Sequence, residues 1–189
     1  MGAIRITERR LHDTRFRKTE EAIIRVFFNC GGKVTLAEIA NEIGVARSTI
    51  YRHHRSIREI MADYREYIVE KYNSVMSVLL KRNARLRKIY AQMLIFIVQN
   101  RNVFLILFRD GDREVLINFI ESLKPKIIKT AKLPRNCDKI FLIYTREIIA
   151  LMERWGESGF KEDGIDEILL DILYLTETIR TRLGRLADR

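Results

Sequence analysis

Thr35-Leu-Ala-Glu-Ile-Ala-Asn-Glu-Ile-Gly-Val-Ala-Arg-Ser-Thr-Ile-Tyr-Arg-His-His-Arg-Ser-Ile-Arg-Glu59 is the stretch that decides the fold of this chain. Thr35 and Glu38 make a capping-box pattern, in which each side chain satisfies a backbone N–H left without a partner at a helix start. Leu36, Ile39, Ala40 and Ile43 follow at helical spacing, so a short helix with one apolar face begins after Thr35. Gly44 stands where that face ends and can take the left-handed backbone of a C-terminal cap, while Val45 can fill the angle between two helices. Ser56 and Glu59 repeat the capping pattern, leaving about Ala46 to Arg55 for a helix of roughly two turns in between. On that helix Ile50 faces inward with Val45, whereas Arg47, Ser48, Thr49, Tyr51, Arg52 and His53 supply donors, positive charge and an aromatic hydroxyl to the other side. A helix so equipped fits a DNA major groove, where Arg pairs with guanine, Ser and Thr with either base type, and Tyr and His reach phosphate oxygens. The plainer alternative is a solvated polar helix between two capped ones. The ordered set of Gly44 and two capping boxes favours the groove-reading helix.

Composition agrees with that reading. The 189 residues are 47% hydrophobic with only 2 Pro and 9 Gly, enough for a sizeable core in one large helical domain or in a small domain joined to a larger one. No alternating strand pattern occurs, and the expected class is all-α. The net charge of +10 is unevenly spread: residues 1–58 hold 12 basic against 6 acidic residues, whereas 146–171 hold 3 basic against 8 acidic. A polyanion partner for the N-terminal part follows, with binding that weakens as salt rises through counterion release.

Met1 to Thr14 lacks an apolar h-region, and the apolar run Ile89 to Phe108 is cut by Gln99-Asn-Arg-Asn102 into pieces too short to span a membrane. The expectation is a soluble, cytoplasmic protein without a membrane partner. Cys30 and Cys137 stand alone, the His residues are 12, 53 and 54, and adjacent His53 and His54 would point about 100° apart on a helix, so neither a metal site nor a cofactor is expected. Both cysteines are expected to be buried and reduced. Glu147, Glu153, Glu162, Asp163, Asp166 and Glu167 read as helix-surface and capping charges, which leaves no constellation for catalysis.

The same residues carry a family likeness. Thr35, Ile39-Ala40, Gly44-Val45, Ser48-Thr49-Ile50-Tyr51-Arg52-His53, Ser56 and Glu59-Ile60 resemble the DNA-binding motif of the TetR family of bacterial regulators. The resemblance implies a three-helix domain whose third helix reads DNA, with Thr35, Tyr51 and His53 on phosphates and Arg47, Ser48, Thr49 and Arg52 at or near base edges. Three positions depart from the pattern. Ala46 stands where a Ser or Thr cap is usual, His54 where a core Phe is usual, and Ile57 where a phosphate-binding Lys is common, with Arg58 placed to substitute for it.

Elsewhere the pattern predicts a first helix over about Thr14 to Asn29, with Phe16, Ile23, Val26, Phe27 and Cys30 inward, preceded by Arg5, Arg9 and Arg10 as a basic arm or a frayed terminus. The domains are expected at 1–58, continuing into a linker helix 56–82, and at 83–189, with about nine helices in all. The later helices are expected at Leu86 to Asn100, Val103 to Arg109, Asp112 to about Ala131 with Pro125 bending or ending it, Asn136 to Trp155, and Ile165 to Leu183. Tyr90, Met93, Leu94, Ile97, Phe104, Phe108, Phe119 and Tyr144 line either an effector cavity or simply a core. Phe141, Ile148, Met152 and Trp155, with Ile165, Ile168, Ile172 and Ile179, form two stripes that face either their own core or a second subunit. Asn100-Arg-Asn-Val-Phe-Leu-Ile-Leu-Phe108 and Glu153-Arg-Trp-Gly156 with Gly159-Phe160 look like a C-terminal regulatory domain of many TetR-like proteins, which tips the stripes towards a homodimer. The function expected from all this is a sequence-specific DNA-binding transcriptional regulator, a homodimeric repressor on a palindromic operator released by a small-molecule effector. A co-activator or antirepressor acting through a protein partner is the alternative.

Overall fold

A computed structural model describes residues 14–131 and 137–187, with side chains placed except at 131 and 182–187. The basic arm residues Arg5, Arg9 and Arg10, and the side chain of Leu183, lie outside the described residues. Among the described residues every regular element is helical: α1 (Thr14–Asn29), α2 (Leu36–Ile43), α3 (Arg47–His53), α4 (Ile57–Lys81), α5 (Leu86–Gln99), α6 (Arg101–Arg109), α7 (Glu114–Ala131), α8 (Asp138–Glu157) and α9 (Ile165–Ala187), the last entered through a 3-10 turn at Glu162–Gly164. The chain divides into two compact units, residues 1–64 and 65–189, with the division inside α4.

In the first unit α1 packs on α2 and α2 on α3. Ile23, Phe27, Ile39, Ala40, Ile50 and Ile60 are fully buried there, one or two from each helix, which is how elements of seven and eight residues remain helical although too short to hold themselves. The inward face of α1 is rotated slightly from expectation. Phe28 is buried between Phe27 and Tyr64, while Cys30 lies past the helix end and is exposed. Only Cys137 of the two cysteines is buried.

The second unit is built around aromatic rings. Tyr72 stacks on Phe119 with centroids 3.6 Å apart, and Phe96 and Phe104 meet the same Phe119 edge-on, the arrangement aromatic quadrupoles favour. α9 packs on both α5 and α8, and α7 on α8. Tyr144 of α8 lies 2.9 Å from Thr176 of α9, and Arg154 pairs with Asp171, so the last two helices run antiparallel. Arg65 of α4 is ion-paired with Asp112, whose other oxygen accepts the Glu114 N–H at the start of α7. Pro125 lies within α7, which continues to Ala131 instead of ending there. α5 and α6 meet at Asn100 with a bend of 83°, and no single described helix is long and apolar enough to cross a membrane.

Candidate nucleic-acid interface

The turn between α2 and α3 forms as its residues dictate. Thr35 accepts from the Glu38 N–H, and the Glu38 carboxylate accepts from the Thr35 N–H at 2.7 Å, a complete capping box. Those bonds hold the Glu38 carboxyl below its ordinary value. Gly44 closes α2 at φ 70° and ψ 35°, a left-handed conformation that a side chain would strain. The second capping signal is realised differently. Ser56 Oγ accepts from the Glu59 N–H, but the Glu59 carboxylate reaches back one residue further and accepts from Arg55 N–H.

Ile50 anchors α3 with no exposure at all, which turns the opposite face outward. Arg47, Ser48, Tyr51 and Arg52 are exposed there, Tyr51 at 56%, and Thr49 is half-buried with its hydroxyl 3.4 Å from the Arg52 guanidinium. Thr35 is exposed at the head of α2, and Arg58 is exposed one residue beyond half-buried Ile57 at the start of α4. Ala46 caps α3 in extended geometry with no side-chain hydrogen bond, as its sequence implies. Restoring a hydroxyl there with Ala46→Ser is expected to add about 1 kcal/mol to the stability of the fold. The corresponding rise in melting temperature, about 2–4 °C for a chain of this size, is read by calorimetry or circular dichroism.

His53 does not join the outward face. Its side chain is 3% exposed, its ring stacks on Phe16 at 3.9 Å, and its Nδ1 lies 2.7 Å from Glu20 Oε2. The phosphate role expected of it gives way to an internal one. His54, 2% exposed, places Nε2 2.6 Å from the other oxygen of the same Glu20 carboxylate. The two adjacent rings converge because His54 has already left the helix, at φ −138° and ψ 137°, so the helical separation expected between neighbours does not apply. Burial opposes ionisation of Glu20, but the hydrogen bonds and charges of the two histidines outweigh it and bring the carboxyl down to about 2. Burial likewise opposes protonation of His54, yet Glu20, then Asp63 and Glu59, raise it above the ordinary imidazole value. Glu20 was not legible as a site residue, since it lies 33 residues from His53 on another helix and nothing local marks the pairing.

A capped short helix, a left-handed glycine turn and a second short helix with a hydroxyl- and guanidinium-bearing outer face define a helix-turn-helix DNA-binding unit. Residues 21–64 match the family model described as bacterial regulatory proteins, tetR family. Residues 21–64 are thus similar to the DNA-binding domain of TetR-family proteins, which supports a DNA-binding transcriptional regulator. Neither the curated proteins nor the solved structures contain a match to the chain.

The residues considered for an effector cavity are packed core. Tyr90, Met93, Leu94, Ile97, Phe104, Phe119 and Tyr144 are each at most 2% exposed, and Phe108 lies half-buried against Phe160 beneath the Arg113 guanidinium. Inside that core Tyr90 and Tyr144 share a hydrogen bond of 2.6 Å, continued to Thr176 and on to the Ile172 carbonyl. The stripes considered for a subunit interface also face inward: Phe141, Ile148, Met152, Trp155, Ile168 and Ile172 are all buried within the chain itself, and Ile165 and Ile179 are half-buried. The opposite face is the open one. Leu142 and Ile143 on α8 are 51% and 57% exposed, and Leu170 and Tyr174 on α9 are 58% and 76% exposed.

Proposed function

We propose that the protein is a homodimeric repressor that binds a roughly palindromic operator through α3 and releases it when a small-molecule effector binds the second unit. The observation that carries the proposal is the pairing of an outward-facing α3 with a second apolar face on the last two helices. Helices that are apolar on one side are covered by their own core, whereas α8 and α9 bear large apolar residues on the solvent side as well. Two such faces related by a two-fold axis make a four-helix interface, with Leu142, Ile143, Leu170 and Tyr174 in place of the buried stripes.

DNA contacts divide by chemistry. Arg47, Ser48, Thr49 and Arg52 are assigned to base edges, and Thr35, Tyr51 and Arg58 to phosphates, a set that excludes His53. For release, an effector must prefer one arrangement of the second unit over another, because a ligand with equal affinity for both shifts nothing. The buried chain Tyr90–Tyr144–Thr176 holds hydrogen-bonding groups inside an otherwise apolar core, which such a ligand reaches only by opening that packing. α4, which begins in the first unit and ends in the second, is the covalent route by which the change reaches α3.

Selection of bound sites from random duplexes tests the whole reading at once. The expected product is an inverted repeat whose half-sites are centred about 34–36 Å apart, one helical turn. Enrichment of a single unrepeated half-site, or of nothing, contradicts the dimeric repressor.

A further inference from the structure

α3 is held unusually lightly for a helix that must present side chains to base edges. It has seven residues, no side chain caps its start, and the side chains it buries are those of Ile50 and His53. A helix this short derives its orientation from tertiary anchors rather than from itself. One anchor is Ile50. The other is at the C-terminal end, where both oxygens of Glu20 on α1 are engaged, one by His53 and one by His54. Two bonds from adjacent residues to one carboxylate fix the roll of the chain as well as its distance from α1. Tyr51 and Arg52 immediately precede the clamped residues, so any slackening there displaces the reading face directly, and base readout tolerates only about half an ångström of such displacement.

The outer nitrogen of His54 gives the clamp a dependence on protons. Nδ1 is buried and makes no hydrogen bond, and it lies 3.5 Å from an Asp63 carboxylate oxygen. The groups facing the ring are Glu20 from α1, Asp63 and Glu59 from α4, and the neighbouring His53 ring at 6.5 Å. With the ring protonated, Nδ1–H is attracted to Asp63 and ties α3 to α4. With the ring neutral, Nε2–H can still donate to Glu20, but Nδ1 turns a lone pair on a carboxylate.

We propose that Glu20 is a positioning residue for DNA reading, acting through His53 and His54, and that the proton on His54 makes duplex affinity depend on pH. The proposal rests on the assignment of α3 as the reading helix. Its direction follows from the geometry and from the shifted ionisations. The Glu20 contribution is present above the ordinary carboxylate value of 4.5 and is lost only as pH falls towards about 2. The His54 contribution is complete below the ordinary imidazole value of 6.5 and disappears as pH rises through the raised value. Affinity is therefore highest in mildly acidic solution and declines towards alkaline pH.

The test uses the full chain and a fluorescein-labelled duplex recovered by the selection above, titrated at constant ionic strength between about pH 5.5 and about pH 8.5, the range in which histidine changes charge. The unmodified protein is expected to lose about three- to tenfold in affinity across that range. His54→Phe, which keeps a ring in the buried site, is expected to bind with a flat profile. Glu20→Gln is expected to bind more weakly throughout, with its slope reduced. A His54→Phe protein that keeps the original slope, or a Glu20→Gln protein that binds as the original does, overturns the proposal. The His54 ring is also titrated by NMR in the DNA-free protein, where its midpoint should fall in Glu20→Gln. If that midpoint falls but no duplex binds at any pH, the assignment of α3 has failed and this proposal with it, while the clamp itself stands; if the midpoint does not fall, the clamp is refuted independently of DNA.

Discussion

A protein carrying Leu142→Lys and Tyr174→Lys is expected to sediment as a monomer and to bind its operator at least about a hundredfold more weakly, because the second half-site contact loses the effective concentration that a dimer supplies. The direction follows from where the two residues sit. Both project into solvent from helices whose opposite faces are already filled by Phe141, Ile148, Met152, Ile168 and Ile172, so the lysines remove no core contact and strand no buried polar group. The variant should therefore remain helical with a melting temperature close to that of the original, and the comparison isolates assembly from folding. Charge is the effective change. Lysines placed on both copies of a two-fold face meet across it, where like charges cost more than the lost apolar area. A dimer that survives the double substitution at micromolar concentration means that subunits pair elsewhere.

Arg47→Ala combined with Tyr51→Phe is expected to reduce discrimination between the selected palindrome and unrelated duplex, at a loss of about 1–3 kcal/mol per half-site for the arginine alone. Two half-sites make the arginine loss about thirtyfold or more in affinity. The two residues act differently. Tyr51 in its phosphate role contributes affinity without sequence information, so Tyr51→Phe alone should weaken all duplexes about equally, by the value of a hydrogen bond or roughly 0.5–1.5 kcal/mol per half-site. Arg47→Ala alone should weaken the palindrome selectively. Both side chains lie on the outer face of α3, away from Ile50, so the fold is expected to be unaffected. Footprints of equal strength from the original and the double variant would mean that the reading face lies elsewhere.

The parts of the first unit that proved legible are those whose cause is local. A capping box spans four residues, a left-handed cap needs one glycine, and an apolar stripe repeats every turn, so α1, α2 and α3 and, His53 apart, the outward set on α3 could be placed from neighbours alone. The absent cap at Ala46 was legible for the same reason. The His53–His54–Glu20 clamp was not. It joins residues 33 and 34 positions apart and depends on His54 leaving helical geometry, which no spacing rule announces.

In the second unit periodicity found the helices but not which side of each is covered. The stripe from Phe141 to Trp155 and the faces holding Leu142, Ile143, Leu170 and Tyr174 are both apolar, and a helix with two apolar faces gives no internal sign of which one the chain buries first. The same holds for Tyr90, Phe104, Phe119 and Tyr144, whose spacing suits a cavity wall and a packed core alike. The amino-acid order determined an all-α fold with a helix-turn-helix near its start, because caps, turns and helical stripes are short-range properties of neighbouring residues. Tertiary structure alone decided that His53 turns inward, that Glu20 holds the end of α3, and which faces of the last two helices stay open. Those outcomes depend on which distant surfaces meet and exclude water from one another, a competition that no local stretch can settle.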